Sequence, residues 1–171
     1  MRIQIEININ GKPYLPLWEV LSKKASEKLK PGGFLITYSG QMHLPEVLKN
    51  LKTYLEYYWM IALIHLDTKQ LINGRNFFCA WKPILIFYKP PLAIPEAKIE
   101  DIIRGSGREK KFHDWQQAEA EIETIIEVFS KPNDVICDVF AGSGTVVVKA
   151  VKMSLVRFDT HAESYCRNGQ K

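Results

Sequence analysis

The sequence predicts an α/β fold, a three-layer sandwich with a mostly parallel sheet and one antiparallel edge strand. Three observations predict it. Helical and strand-like segments alternate along most of the chain. The chain closes in a strand, a glycine loop, a helix and a second strand, the form of a nucleotide-binding half-sheet. Two strand-like runs, Tyr57 to Leu66 and Pro83 to Tyr88, also follow one another with no helix between them, as at an antiparallel edge.

The elements follow in order. Ile3, Ile5, Ile7 and Ile9 alternate with polar residues, a strand with one wet face. Leu17, Val20, Leu21, Ala25 and Leu29 recur at helical spacing, and Pro31-Gly32-Gly33 stops that helix before the apolar run Phe34 to Tyr38. Pro45 to Leu55 is a second amphipathic helix, and the aromatic and β-branched stretch Tyr57 to Leu66 a strand. A turn at Asn73-Gly74 leads to Phe77-Phe78 and the Pro83 to Tyr88 strand, bounded by Pro90-Pro91. Residues 92–111, rich in Pro, Gly and charge, read as a mobile surface loop. Asp114 to Phe129 is helical, with Ala118, Ile122, Ile125, Ile126 and Phe129 on one face. Val135 to Phe140 is a buried strand, Thr145 to Lys152 a helix and Leu155 to Asp159 a last strand. There is no internal repeat, and one domain over residues 1–171 is expected.

Composition excludes more than it selects. No apolar run approaches the roughly 18 residues of a membrane span, and the first residues do not read as a signal peptide, so a cytoplasmic protein with no membrane partner is expected. Cys79, Cys137 and Cys166 are odd in number and far apart, which suggests neither a disulfide framework nor a metal site. A formal charge of +4 is compatible with a polyanionic partner and is too common to identify one.

The sharpest motif is Asp138-Val139-Phe140-Ala141-Gly142-Ser143-Gly144-Thr145, at a strand-to-helix junction. Gly142 and Gly144 permit a tight turn and close approach of a ligand, and the helix start offers unpaired N–H groups. Asp159 lies about 20 residues further on, where a carboxylate can accept hydrogen bonds from ribose hydroxyls. A phosphate-binding P-loop would need Lys where Thr145 stands, and a dinucleotide fingerprint a small residue in place of Val147. A glycine turn with no ligand is the alternative for the motif on its own.

The wider sequence resembles the permuted class of S-adenosylmethionine (SAM) dependent DNA methyltransferases that modify the exocyclic amine of adenine or cytosine. The resemblance is carried by Tyr14-Leu15-Pro16-Leu17-Trp18, Leu29-Lys30-Pro31-Gly32-Gly33, Ser39-Gly40-Gln41, His43 to Leu48, Trp81-Lys82-Pro83-Ile84-Leu85, Lys111 to Gln117, Lys131-Pro132-Asn133-Asp134 and the glycine motif. It runs from about Tyr14 to Tyr165. It implies a Rossmann-like methyltransferase fold with SAM as cofactor and DNA as partner, the setting of a restriction-modification system. Asp138, Phe140, Gly142 and Gly144 would then line the methionine and sugar side of SAM, with Asp159 on the ribose. His113 and Gln116 match the segment closing over the methionine end; otherwise His113 is a helix-start residue facing water. Trp81, Lys82 and Pro83 resemble the segment beside the flipped base, although an aromatic in a strand-like run is also ordinary core. Arg104, Arg108, Lys110 and Lys111 would contact phosphates, or form a solvated charge run.

One expected part is missing from the sequence. Family members hold the target amine with an Asp-Pro-Pro-Tyr type tetrapeptide, whose carboxylate or amide and backbone carbonyl accept its hydrogens. The corresponding region, shortly before Tyr14-Leu15-Pro16, reads Ile7-Asn8-Ile9-Asn10-Gly11-Lys12-Pro13. Lys12-Pro13-Tyr14 keeps a Pro-Tyr pair but has no acid or amide in the right place, since Asn10 could supply the first position only with an altered loop, and the pair is read as a coincidence. The catalytic residues are therefore unassigned. The chain reads either as an incomplete or rearranged enzyme, or as one whose site another polypeptide completes, or as a non-catalytic module that binds SAM or DNA.

Overall fold

A computed structural model describes residues 15–65, 70–72, 74–105, 119–138 and 146. Its elements are α1 (Leu15–Lys28), β1 (Phe34–Tyr38), α2 (Leu44–Leu51), β2 (Glu56–Ile64), β3 (Gln70–Ile72), β4 (Phe77–Cys79), β5 (Trp81–Tyr88), β6 (Ile102–Arg104) and α3 (Glu119–Phe129). The strand expected at Ile3 to Ile9, the helix from Thr145 and the strand ending at Asp159 lie outside the described residues, apart from Val146.

In α1 the buried stripe is Trp18, Leu21, Ser22 and Ala25, at the three-to-four residue spacing of one helix face. Val20, expected in that stripe, is exposed. The helix ends against Lys89, whose Nζ donates to the Leu29 carbonyl at 2.9 Å. Gly32 then takes φ +79°, a left-handed turn that suits glycine. Its N–H donates to the Lys89 carbonyl, and the Lys89 N–H returns to Gly33, which feeds the chain into the β1–β5 ladder.

The main sheet has the order β1-β5-β2-β6. Strand β5 is antiparallel to both β1 and β2, and β6 is parallel to β2. Three strands therefore run one way and one the other, in the α/β class expected; because the reversed strand lies inside, two of the three ladders are antiparallel and the described sheet is mixed, not mostly parallel. The antiparallel strand lies between β1 and β2 and not at an edge of the described strands. The reason is its composition: Pro83 to Phe87 are all buried, and a strand covered on both faces belongs in a sheet interior.

Alternation along β5 separates two cores. Leu85 and Phe87 join Leu35 in packing against Trp18, Leu21 and Ala25 of α1 and Val47 and Leu51 of α2. Ile84 and Ile86 pack with Ile61 and Leu63 on the opposite face, against Ile125 and Phe129 of α3. Helices cover both faces, which makes the three layers.

Two further expectations are corrected. Within residues 92–111, read as loop, Ile102–Arg104 forms β6, because Ala62, Leu63 and Ile64 at the exposed side of β2 offer it a parallel ladder. Val135 begins no strand: residues 135–138 have no regular structure and Val135 is 50% exposed. Apolar character alone mistook a half-wet approach segment for a buried strand. Among the described residues no helix is long and apolar enough to cross a membrane.

Candidate nucleic-acid and cofactor site

Strands β1, β2 and β6 share a direction, so their carboxyl ends meet at one edge of the sheet, where β5 begins. In open α/β sheets that edge is where ligands bind. Beyond the strand ends the backbone pairing continues for one step. Ser39 N–H donates to Pro83, His65 N–H to Ala80 and Gly105 N–H to Ile64, at 3.0, 2.8 and 2.9 Å. The edge thus gathers Ser39-Gly40-Gln41, His65, Trp81-Lys82 and Arg104-Gly105 on a fixed frame.

A second, two-stranded sheet stands on this edge. Strand β3 pairs antiparallel with β4, and β4 passes through Ala80 directly into β5. Its base is tied down by Cys79, whose Sγ lies 2.7 Å from Gln41 Oε1 and 3.1 Å from the Trp81 carbonyl. Gln41 stands in one of the sequence motifs, but its partner Cys79 carried no signal in the sequence. Beside them, a Cβ added at Gly40 would meet nothing within 4 Å, so the edge above β1 is open.

His65 is the functional candidate that sequence reading missed, since a lone histidine at a strand end has no motif. Two residues beyond Leu63, it shares a sheet face with Lys82, the cross-strand partner of Leu63. Its Nε2 is buried and has no hydrogen-bond partner among the described residues. Burial, and secondarily the charge of Lys82, pushes its pKa below the ordinary 6.5, so the ring is neutral near pH 7. Lys82 is exposed and Trp81 half-buried.

Of the cofactor residues expected from the sequence, Asp138 is described: it is half-buried, with Oδ2 closed off from solvent. The chain reaches it from α3 through a turn with Asn133 at φ 72° and the Lys131 N–H donating to Asp134 Oδ2 at 2.8 Å. Phe140, Gly142, Gly144, Asp159, His113 and Gln116 lie outside the described residues, as do Arg108, Lys110 and Lys111. Val146, just past the glycine loop, is buried. Of the DNA-side residues, Trp81, Lys82 and Arg104 are brought to the carboxyl edge. An apolar cleft of about 590 Å³ beside Tyr58, Trp59, Ile94 and Phe129 contains none of the expected site residues. No group of three or more potential metal ligands occurs among the described residues.

Comparison with known proteins bears on this arrangement. Residues 95–166 match the DNA methylase family of N6 and N4 methyltransferases. The type II methyltransferase M.HpaI of Haemophilus parainfluenzae is 24% identical over 183 residues, which cover 91% of this chain. The chain spans 58% of that relative's length. Among solved structures, the cytosine-N4-specific PvuII DNA methyltransferase superposes with TM-score 0.75 at 14% identity, covering 92% of this chain and 71% of that one. The M1.HpyAVI–SAM complex gives 0.66 at 21% identity, covering 86% and 76%. A DNA modification methylase from Thermus thermophilus, complexed with SAM, gives 0.64 at 16%, covering 84% and 69%. At these identities the structural likeness shows the fold. Sequence and fold point the same way: the chain is similar to the DNA methylase family over residues 95–166, and its fold is that of the DNA methyltransferase structures it superposes on.

Proposed function

We propose that this chain is the scaffold of a SAM-dependent methyltransferase acting on the exocyclic amine of adenine or cytosine in DNA. The observation that carries the reading is the extent of the family match, which runs through the glycine motif from Asp138 to Gly144 and on to Asp159. SAM supplies an electrophilic methyl group on a sulfonium centre. The residues present fit such a ligand: Asp138 is a carboxylate with one oxygen shielded from water, able to accept hydrogen bonds without competition from solvent. Gly142 and Gly144, lacking side chains, would permit close approach of the cofactor, and Asp159 would hold the ribose hydroxyls. His113 and Gln116 would close over the methionine end.

On the carboxyl edge, Trp81 offers a face on which an extruded base can stack, and the exposed Lys82 a cation for the neighbouring phosphate. Arg104, Arg108 and Lys110 would extend that contact along the strand. Work on DNA would place the protein in the cytoplasm. The sequence contains no Asp-Pro-Pro-Tyr type tetrapeptide, and that observation favours a second reading: the chain binds SAM and DNA without transferring the methyl by itself. Titration calorimetry with SAM tests the common premise, and absence of binding overturns both readings. Transfer of radiolabelled methyl to duplex DNA separates them, since incorporation supports the enzyme and no incorporation despite SAM binding supports the module.

A further inference from the structure

The β3–β4 ribbon is absorbed neither by the packing nor by the function proposed above. Beyond the Gln70–Cys79 pair at its base, its cross-strand pairs are Leu71 with Phe78 and Ile72 with Phe77. Paired residues share a face, so each face of the ribbon carries one aliphatic and one aromatic side chain. Phe77, Phe78 and Leu71 are 73%, 66% and 47% exposed, and none belongs to either core. A ribbon apolar on both sides and open to water invites association.

Position and charge select the partner. The ribbon rises from the carboxyl edge, with its base fixed by the Cys79–Gln41 contact and the His65–Ala80 hydrogen bond. From Gln70 to Lys82 the sequence contains Arg75 and Lys82 and no acid. Arg75 sits at the exposed turn, between Gly74 at φ 79° and Asn76 at φ 54°, and Lys82 is exposed at the foot of the ribbon. Arg104 adds an exposed cation at the end of β6 on the same edge. Cations bracketing an apolar tip complement phosphates bracketing stacked bases. A second copy of this chain would set cation against cation. Three-residue strands make a ribbon about 10 Å long, of a size that a DNA groove admits.

Resting on the DNA-binding reading above, the geometry points to the β3–β4 ribbon as a DNA wedge: Phe77 and Phe78 enter the base stack beside the nucleotide drawn onto the carboxyl edge and fill the space it leaves. The test titrates the full chain and its Phe77→Ser/Phe78→Ser double variant, by fluorescence anisotropy, with a mixed-sequence duplex and with the same duplex carrying one abasic site. The parent binds the abasic duplex more tightly. The double variant loses that preference and about 5- to 100-fold in affinity, while its SAM affinity and the salt dependence of DNA binding stay at parental values. Arg75→Ala lowers the salt slope by about 1 and keeps the abasic preference. If circular dichroism shows the double variant unfolded, the decision passes to Phe78→Tyr, which keeps the preference, against Phe78→Ser, which weakens it. Equal binding of both duplexes by parent and folded variants overturns the wedge. So does loss of self-association in the double variant with unchanged DNA affinity, which assigns the ribbon to a second copy. A parent that binds SAM but neither duplex also overturns the wedge and leaves the cofactor reading standing. A parent that fails to bind SAM yet shows the abasic preference overturns the methyltransferase readings alone.

Discussion

His65 and Ser22 show how much single buried polar atoms decide. Burial of His65 and the nearby Lys82 charge disfavour its protonated form, so the unfolded chain takes up a proton at a higher pH than the folded one. Stability is therefore full above the ordinary value of 6.5 and declines as pH falls from there toward the lower folded pKa. Chemical denaturation at stepped pH should show that decline, and His65→Gln should flatten it. Lys82→Gln should raise the folded pKa seen by NMR titration of the His65 ring; an unchanged titration would exclude the Lys82 contribution. Ser22 is fully buried in α1 and its Oγ donates to the Leu51 carbonyl at 2.5 Å, one of the last carbonyls of α2. Ser22→Ala leaves that carbonyl without its donor and should destabilise the chain by about 1–3 kcal/mol in urea unfolding. Asn50 Nδ2 reaches Leu15 O at 2.9 Å as a second tether between the same helices, so Ser22→Ala with Asn50→Ala should be non-additive.

At the scale of elements, β5 organises the sheet. Phe87 is fully buried and belongs to the core that α1 and α2 close over β1 and β5. Phe87→Ala should cost about 3–5 kcal/mol in urea unfolding, against a small effect for Ala at exposed Val20. Segments with strong periodicity were legible in the sequence: the helix ending at Pro31-Gly32-Gly33, the run Phe34 to Tyr38, and the aromatic strand from Tyr57 each correspond to α1, β1 and β2 within a few residues. Position within the sheet was less so. The apolar continuity of Pro83 to Phe87 carried the information that β5 is interior, but the absence of a helix before it argued for an edge. Strand β6 had no local signal, since three residues hold no period and their pairing with β2 is set by tertiary contact. Likewise the motif residues Gln41, Trp81 and Lys82 were visible in the sequence, whereas His65 and Cys79 join them only because antiparallel pairing returns β4 and β5 to the strand ends.

At the scale of the whole molecule, the described sheet and its three helices present one open edge, and the glycine motif that follows α3 would carry the cofactor to it. If Asp138, Gly142 and Asp159 hold SAM, ligand binding and folding are linked, because a site drawn from residues so far apart in the sequence exists only in the native chain. At a SAM concentration 100-fold above Kd the native state gains about 2.7 kcal/mol. For a chain of this size, at about 2–4 °C per kcal/mol, the unfolding midpoint should rise by about 5–10 °C. Gly142→Val places a branched side chain where the ligand must approach, and Asp138→Ala removes a carboxylate shielded from solvent. Both variants should melt with the same midpoint whether or not SAM is present. Differential scanning calorimetry of the three proteins, each with and without SAM, decides the matter: an undiminished rise in either variant would remove that residue from the cofactor site, and no rise in the parent would remove the site itself.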